Sequence, residues 1–346
     1  MKPRYFLIPL LMVLLGGMQV MYASGDKMGT AGAIELLIPM GARNAAMCGS
    51  NIANIQGAEA MYYNPSGLSM LNGAEASFSY MSYFADMNIS YIAVGSKVGK
   101  LGAIGLSIQS LDIGKIPVTT LQNPEGTGEE LSTNFITLTA TFSRQFTERI
   151  NFGINTKLIS EKVGNMSARA LAWDFGLQYT SPWGVDFGVV MRNIGSNIQF
   201  DGTSIEFDTE IPFSNPNATT RKTRLDMASH ELPASLNLGV AYRYQFTEEH
   251  SVNVSGIYGN NNYTLDQIDT GIEYSFKDFF FLRGGYNAPL YPGDYDEDMK
   301  DDYQYSFTFG FGLALDVGDN ALVFDYAYRE MASFDGNQYF TLGIRF

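Results

Sequence analysis

Phe340-Thr341-Leu342-Gly343-Ile344-Arg345-Phe346 ends the sequence. Phe340, Leu342, Ile344 and Phe346 occupy one phase of a period-two pattern, and Thr341, Gly343 and Arg345 the other. That alternation predicts a strand with one apolar and one mixed face. The same pattern recurs almost everywhere from Ala74 onward. It is clearest in Tyr303, Tyr305, Phe307, Phe309, Phe311, Leu313 and Leu315 against Gln304, Ser306, Thr308, Gly310 and Gly312. It returns in Leu171, Trp173, Phe175, Leu177 and Tyr179 against Asp174 and Gly176. Charge keeps to the mixed phase: Asp174, Asp186, Arg192, Arg243, Asp269, Glu273, Arg283, Asp325 and Arg345 all fall there.

Cutting the chain at turn signals gives about fourteen strands, an even number as single-chain membrane barrels have. They span 74–83, 87–98, 101–113, 132–145, 149–163, 168–180, 183–194, 232–246, 249–258, 264–276, 278–287, 302–315, 319–329 and 336–346. Joins after the even-numbered strands are short, whereas the longest joins, 114–131, 195–231 and 288–301, all follow odd-numbered ones. A water-soluble β-sandwich also alternates, but it has no reason to sort its connections by end. The prediction is an all-β fold, a transmembrane antiparallel β-barrel over 74–346, with lipid outside and a polar lumen inside. Tyr80, Tyr83, Tyr179, Trp183, Tyr244, Tyr258 and Tyr286, near strand ends, suit interfacial girdles.

At the other end, Lys2 and Arg4 precede an apolar run from Tyr5 to Leu15, with small residues at Ala23, Ser24 and Gly25, so residues 1–25 read as a signal peptide. Gly16, Gly17 and Gln19 leave the run too short for a spanning helix. Its removal takes away Lys2 and Arg4 and shifts the formal charge from −14 to −16. Such acidity argues against nucleic acid as a partner. Cys48 is the sole cysteine, so no internal disulfide is available. His230 and His250 are the only imidazoles, and both are expected to be exposed, at opposite ends of a barrel. With no serine or cysteine partner in a motif they predict no catalytic residues, and nothing calls for a cofactor. Asp294, Asp296 and Asp298 lie in the densest acidic run and are weak calcium ligand candidates. Their spacing is not that of an EF-hand.

Residues 26–73 break the alternation and are rich in Gly, Ala and Asn. They are too polar for lipid, and Asn64-Pro65-Ser66-Gly67 is turn chemistry that stops a short helix. The segment is expected to be a partly helical plug inside the barrel, with Gly41, Arg43, Asn64, Pro65 and Gly67 as its motif residues. Here the chain resembles the PorV/PorQ family within the FadL-like outer-membrane barrels. The resemblance rests on Leu37-Ile38-Pro39-Met40-Gly41-Ala42-Arg43, Met47-Cys48-Gly49-Ser50, Ala60-Met61-Tyr62-Tyr63-Asn64-Pro65-Ser66-Gly67-Leu68, Ser77-Phe78-Ser79-Tyr80, Leu111-Asp112-Ile113-Gly114 and Pro124-Glu125-Gly126-Thr127-Gly128-Glu129. The family more usually has Gly at Cys48. Phe340, Leu342, Ile344 and Phe346 in turn resemble the signal read by barrel-insertion machinery.

The resemblance implies a bacterial outer-membrane protein, multi-pass and non-enzymatic, in contact with lipid and lipopolysaccharide. It implies a component of type IX-like protein secretion or surface attachment, with a translocon and secreted cargo as partners. The alternative within the wider group is a FadL-like transporter of hydrophobic small molecules.

Overall fold

In the computed structural model of the 346-residue chain, residues 27–209, 221–291 and 306–346 are described. Fourteen strands form the wall: β1 Ala74–Ser82, β2 Asn88–Val98, β3 Gly102–Asp112, β4 Thr133–Thr147, β5 Ile150–Val163, β6 Met166–Thr180, β7 Val185–Gly195, β8 Ser235–Gln245, β9 His250–Asn261, β10 Asp266–Phe276, β11 Phe280–Leu290, β12 Phe307–Val317, β13 Asn320–Arg329 and β14 Asn337–Arg345. Each pairs antiparallel with the next, and β14 pairs with β1 from Glu75↔Arg345 to Ser82↔Gln338. The sheet is therefore a closed barrel without a free edge.

Side-chain phase follows the sequence pattern. On β12 and β14, Phe309 and Leu342 are 57% and 58% exposed, while their neighbours Thr308 and Thr341 are buried. The inner wall is Ser, Thr, Asn and Gly with paired charges; the outer wall is aliphatic and aromatic. Connections at one end are two to four residues long, at 99–101, 148–149, 181–184, 246–249, 277–279 and 318–319. We call this the turn end. At the loop end lie 83–87, 113–132, 196–234, 262–265, 291–306 and 330–336, together with one tight turn at 164–165.

Strand limits depart from the sequence reading where local chemistry overrides turn propensity. Gly259-Asn260-Asn261 reads as a break, yet β9 continues through it. The Asp266 carboxylate accepts from Tyr258 OH (2.8 Å), from Asn260 Nδ2 (3.1 Å) and from the Asn261 backbone N–H (2.9 Å), which holds these residues in the ladder. Pro289 sits inside β11 opposite Gln267 of β10, and on the other side the described residues end at Ser306, whose carbonyl accepts from the Asn287 N–H (2.9 Å). Tyr303 and Tyr305, placed on the same strand as Phe307, lie outside the described residues, as do residues 1–25 and Asp294, Asp296 and Asp298.

One irregularity shapes the lumen. Between Trp173↔Ile194 and Phe175↔Met191 the β6–β7 register shifts, so that Asp174 opposes two residues, Arg192 and Asn193. Asn193 has φ +58, a left-handed conformation that Asn tolerates better than most. Both side chains consequently turn inward. The Asp174 carboxylate locks the bulge: it pairs with Lys157 Nζ (2.8 Å) and accepts from Asn155 Nδ2 (2.8 Å) and the Asn193 N–H (2.9 Å).

The apolar core lies between the inner wall and residues 34–71. That segment contains a 3-10 helix at Ile34–Leu37, α1 Ala42–Ala45, α2 Ala60–Tyr63 and a second 3-10 helix at Pro65–Met70. Met40, Ile52, Met61 and Leu68 pack in one cluster with Met81, Tyr91, Val190 and Tyr339 of the wall. A second cluster at the loop end joins Ala33 and Leu36 to Ile159, Ala168 and Ala170 of β5 and β6 and to Ile198 and Leu232 of the long 196–234 connection.

Candidate functional site: the lumen and the segment that occupies it

Four pairs of glycines, each directly opposed across neighbouring strands, let the segment touch the wall. They are Gly95↔Gly105 on β2/β3, Gly153↔Gly176 on β5/β6, Gly188↔Gly239 on β7/β8 and Gly271↔Gly285 on β10/β11. A β-carbon at Gly153 or Gly176 would fall on Asn64, Pro65 or Ser66; at Gly188, 2.7 Å from Ile52 O; at Gly285, 2.6 Å from the Met47 carbonyl carbon; at Gly95, 2.6 Å from Leu68 Cδ1. At Gly153, Gly188 and Gly285 backbone therefore packs on backbone where any side chain would intervene, and at Gly95 and Gly176 the wall seats side chains of the segment. The sequence reading saw lumen-side glycines but not their pairing, because pairing emerges only when strand register is known.

Polar wall residues satisfy the backbone of the segment. Thr308 Oγ1 donates to Ala46 O (2.8 Å), Asn155 Nδ2 to Met61 O (2.7 Å), Gln178 Nε2 to Ile55 O (3.0 Å) and Ser143 Oγ to Ser66 O (2.8 Å). Ala42 N–H donates to Thr341 Oγ1 (2.9 Å). The motif residues predicted from sequence occupy the key contacts. Arg43 donates through Nε (3.0 Å) and Nη2 (2.9 Å) to the Glu273 carboxylate, a bidentate fork. Glu273 accepts in addition from Arg283 Nε (2.7 Å), and Arg283 Nη1 reaches Asp325 (2.5 Å). Lumen charges thus pair across strands and with the segment. Asn64 caps the second 3-10 helix, its Oδ1 accepting from Ser66 N–H (3.2 Å) and Ser66 Oγ (2.7 Å), with Pro65 following at the favoured first position. Gly67 lies where a β-carbon would strike the Ile55 carbonyl, and Gly41 (φ +79) faces the Glu59 carboxylate.

The segment separates two cavities. The turn-end cavity, about 330 Å³, is walled by charge: Arg43, Arg243, Arg345, Glu75 and Asp278. The loop-end cavity, about 470 Å³, is mixed: Leu37, Ile38, Ile52, Tyr62, Tyr63, Ile257 and Leu265 meet Arg192, Asn237, Gln267 and Asn287. The Arg192 guanidinium stands over the Tyr62 ring at 5.8 Å. The Tyr63 hydroxyl is buried away from the cavity and has no hydrogen-bond partner among the described residues, although a buried hydroxyl ordinarily finds one. Cys48 lies on the same wall with Sγ 3.2 Å from Thr308 Oγ1, and burial pushes its thiol up to about 11.

Tyr83, predicted as a girdle aromatic, instead faces this cavity and packs against the core, because β1 ends at Ser82 and the chain turns inward. Of the other girdle candidates, Tyr80, Trp183, Tyr244 and Tyr286 are exposed, and Tyr179 and Tyr258 are half-buried. The histidines do lie at opposite ends. His230 is exposed, with Nδ1 3.2 Å from Thr30 O. His250 is half-buried rather than exposed, because it packs on the Phe276 ring with Nδ1 2.7 Å from Tyr274 OH. Among the described residues no group of three His, Cys, Asp or Glu side chains converges as metal ligands would.

Glu35 of the first 3-10 helix is buried against Glu161 of β5 at the loop end. Burial and the Glu161 carboxylate push Glu35 from an ordinary 4.5 up to about 8. A value raised by folding means that its contribution to stability is complete below 4.5 and is lost as pH climbs through 8. Backbone amides of residues 34–37 should therefore exchange with deuterium more slowly at pH 5 than at pH 9 after correction for intrinsic rates. Glu35→Gln should flatten that dependence. Equal protection at both pH values in the wild-type protein would refute it.

No family profile matches the chain, and no curated protein matches it in sequence. Solved structures do match. The Ralstonia pickettii toluene transporter TbuX aligns with a TM-score of 0.53 at 13% identity, over 88% of this chain and 98% of that one. The CymD monoaromatic hydrocarbon channel aligns at 0.52 and 13%, over 89% and 97%. A Pseudomonas aeruginosa FadL homologue aligns at 0.50 and 11%, over 89% and 98%. The fold is FadL-like. At these identities the likeness is one of architecture: a FadL-like barrel of fourteen strands with short N-terminal helical segments.

Proposed function

We propose that this chain is a non-enzymatic FadL-like channel protein of the bacterial outer membrane that receives a small, largely hydrophobic molecule in its loop-end cavity. The carrying observation is that cavity itself: apolar and aromatic side chains with a few convergent polar groups, as ligand sites have, and a wall partly formed by residues 34–71. An occupant there bears directly on the segment that blocks the lumen. The apolar outer wall supports a membrane setting, with the turn end in the periplasm and the loop end outside. The outward row Phe340, Leu342, Ile344 and Phe346 is what barrel-insertion machinery would recognise. Solved proteins of this fold include a toluene transporter and a monoaromatic hydrocarbon channel, which favours the same substrate class here.

Cys48 is a built-in reporter. Toluene, or a medium-chain fatty acid as a longer probe, is expected to slow maleimide labelling of Cys48 at least threefold in the detergent-solubilised barrel. It is also expected to enter proteoliposomes faster than in protein-free controls. Unchanged labelling together with unchanged uptake would sink the channel reading.

A second reading has its own support. The residues that resemble PorV/PorQ, 37–43 and 60–68, are fixed to the wall through Arg43–Glu273 and through Asn64 Nδ2, which donates to Leu177 O. A lumen so firmly filled suits a docking component of type IX-like secretion, meeting a translocon and cargo through connections 113–132 and 196–234. Pull-down with mass spectrometry separates the two: a stable complex with secretion proteins supports the second, and a barrel free of protein partners supports the first.

A further inference from the structure

The outer wall of β4, β5 and β6 is organised in rows set by strand register. From the loop end downward they are Asn134–Lys162–Ser167, Ile136–Ser160–Arg169, Leu138–Leu158–Leu171 and Ala140–Thr156–Trp173. Lys162 and Arg169 therefore sit diagonally on neighbouring strands, their backbones about 7–8 Å apart, at the upper border of the apolar belt. Both are exposed, and neither makes an ion pair or hydrogen bond among the described residues. Such placement is rare on this protein. Among the described strand residues, the outward phase carries charge only at Asp112, Arg144, Lys162, Arg169 and Asp266. Asp266 is occupied by Tyr258 and Asn260, and Arg144 lies alone at the turn end. Of the outward carboxylates on either side, Asp201 beside Ser167 is taken by Arg224 Nη1 at 2.7 Å, and Asp112, two strands from Lys162, accepts from the Gly114 N–H at 2.9 Å.

We infer that Lys162 and Arg169 form a binding site for the phosphate of a bisphosphorylated glycolipid of the lipid A kind in the leaflet at the loop end. This rests on the outer-membrane reading proposed above. Charge complementarity selects an anion, and two cations at this separation match one phosphorylated headgroup better than a single contact would. The rows below select a lipid over a free ion. Leu158, Leu171 and Phe175 are exposed on the same strands, in line beneath the cations, so one molecule lays acyl chains on the belt while its phosphate meets Lys162 and Arg169. The geometry is that of snorkelling side chains at a membrane interface. It also fixes the depth of the barrel at β5 and β6, next to the bulge.

The test uses the intact barrel in detergent, titrated with bisphosphoryl lipid A and read by native mass spectrometry. The double variant Lys162→Gln/Arg169→Gln changes only exposed side chains and should fold normally. It is expected to bind at least tenfold more weakly, while Arg144→Gln binds as the wild type does. Monophosphoryl lipid A should bind more weakly than the bisphosphoryl form to the wild type, and equally weakly to the double variant. Undiminished lipid A binding by the double variant would overturn the inference and leave the outer-membrane reading standing. Displacement of lipid A by millimolar inorganic phosphate would overturn it in favour of a simple anion site. Fractionation of the wild-type protein away from the outer membrane would overturn both.

Discussion

Glu273→Ala is expected to open the lumen. The wild-type barrel in a planar bilayer should pass little current, since residues 34–71 fill it; the variant should show frequent openings and at least tenfold more leak. Glu273 is buried, and its carboxylate carries both the bidentate Arg43 fork and Arg283. Without it, two guanidinium groups face one another with Asp325 as their one direct partner and Glu59 farther off. Removing one member of a buried ionic group costs about 3–5 kcal/mol, because the charges left behind are unpaired. The loss falls on the contact that holds α1 to the wall, so a drop in unfolding free energy and the leak should appear together. Arg43→Met in the same background should recover part of the stability by removing an orphaned cation, and a double-mutant cycle gives the coupling. It should not recover the seal. If Glu273→Ala neither leaks nor loses stability, packing alone holds the segment.

The second large effect distinguishes adjacent residues. Gly284 and Gly285 are neighbours on β11, but a β-carbon at Gly284 has its nearest neighbour at 3.8 Å, whereas one at Gly285 stands 2.6 Å from the Met47 carbonyl carbon and 2.8 Å from Cys48 N. Backbone atoms of the segment cannot swing aside as a side chain would. Gly285→Ala should therefore cost about 2–3 kcal/mol, at the upper end for overpacking. It should also speed maleimide labelling of Cys48, because relief comes by displacing Met47–Cys48. Gly284→Ala should be neutral or stabilise by about 0.4–1 kcal/mol through the unfolded chain. Equal melting temperatures for the two variants would show that the close contact is not a constraint.

How much of this was legible in the sequence follows from which physics writes itself into local pattern. Lipid-like surroundings outside and polar contents inside impose period two on every strand, so Phe309 against Thr308, or Leu342 against Thr341, announces both strand and face. The long connections all fall at one end, 113–132 and 196–234 among them, and the motif Asn64-Pro65-Ser66-Gly67 announces a cap because its bonds span only two residues. What stayed hidden depends on register between distant positions. Nothing near Asn193 signals that it will bulge inward to meet Asp174; that needs β6 laid beside β7. Asn260 and Asn261 read as a turn until Asp266 appears opposite. Arg43 reads as a motif residue, but its partner Glu273 lies 230 positions away. Tyr83 reads as a girdle residue, but one residue of difference in where β1 stops sends it to the cavity.

The opposed glycines have a consequence for how the molecule is put together. Their four pairs are distributed around the circumference, on β2/β3, β5/β6, β7/β8 and β10/β11, and each is fitted to a different stretch between Met47 and Leu68. A wall touched from within on every side cannot contract or dilate without losing a seat. Residues 34–71 thus act as a mandrel: they set the bore on which the strands are wound. Taking the segment away would leave all four glycine seats empty at once and the bore without a former.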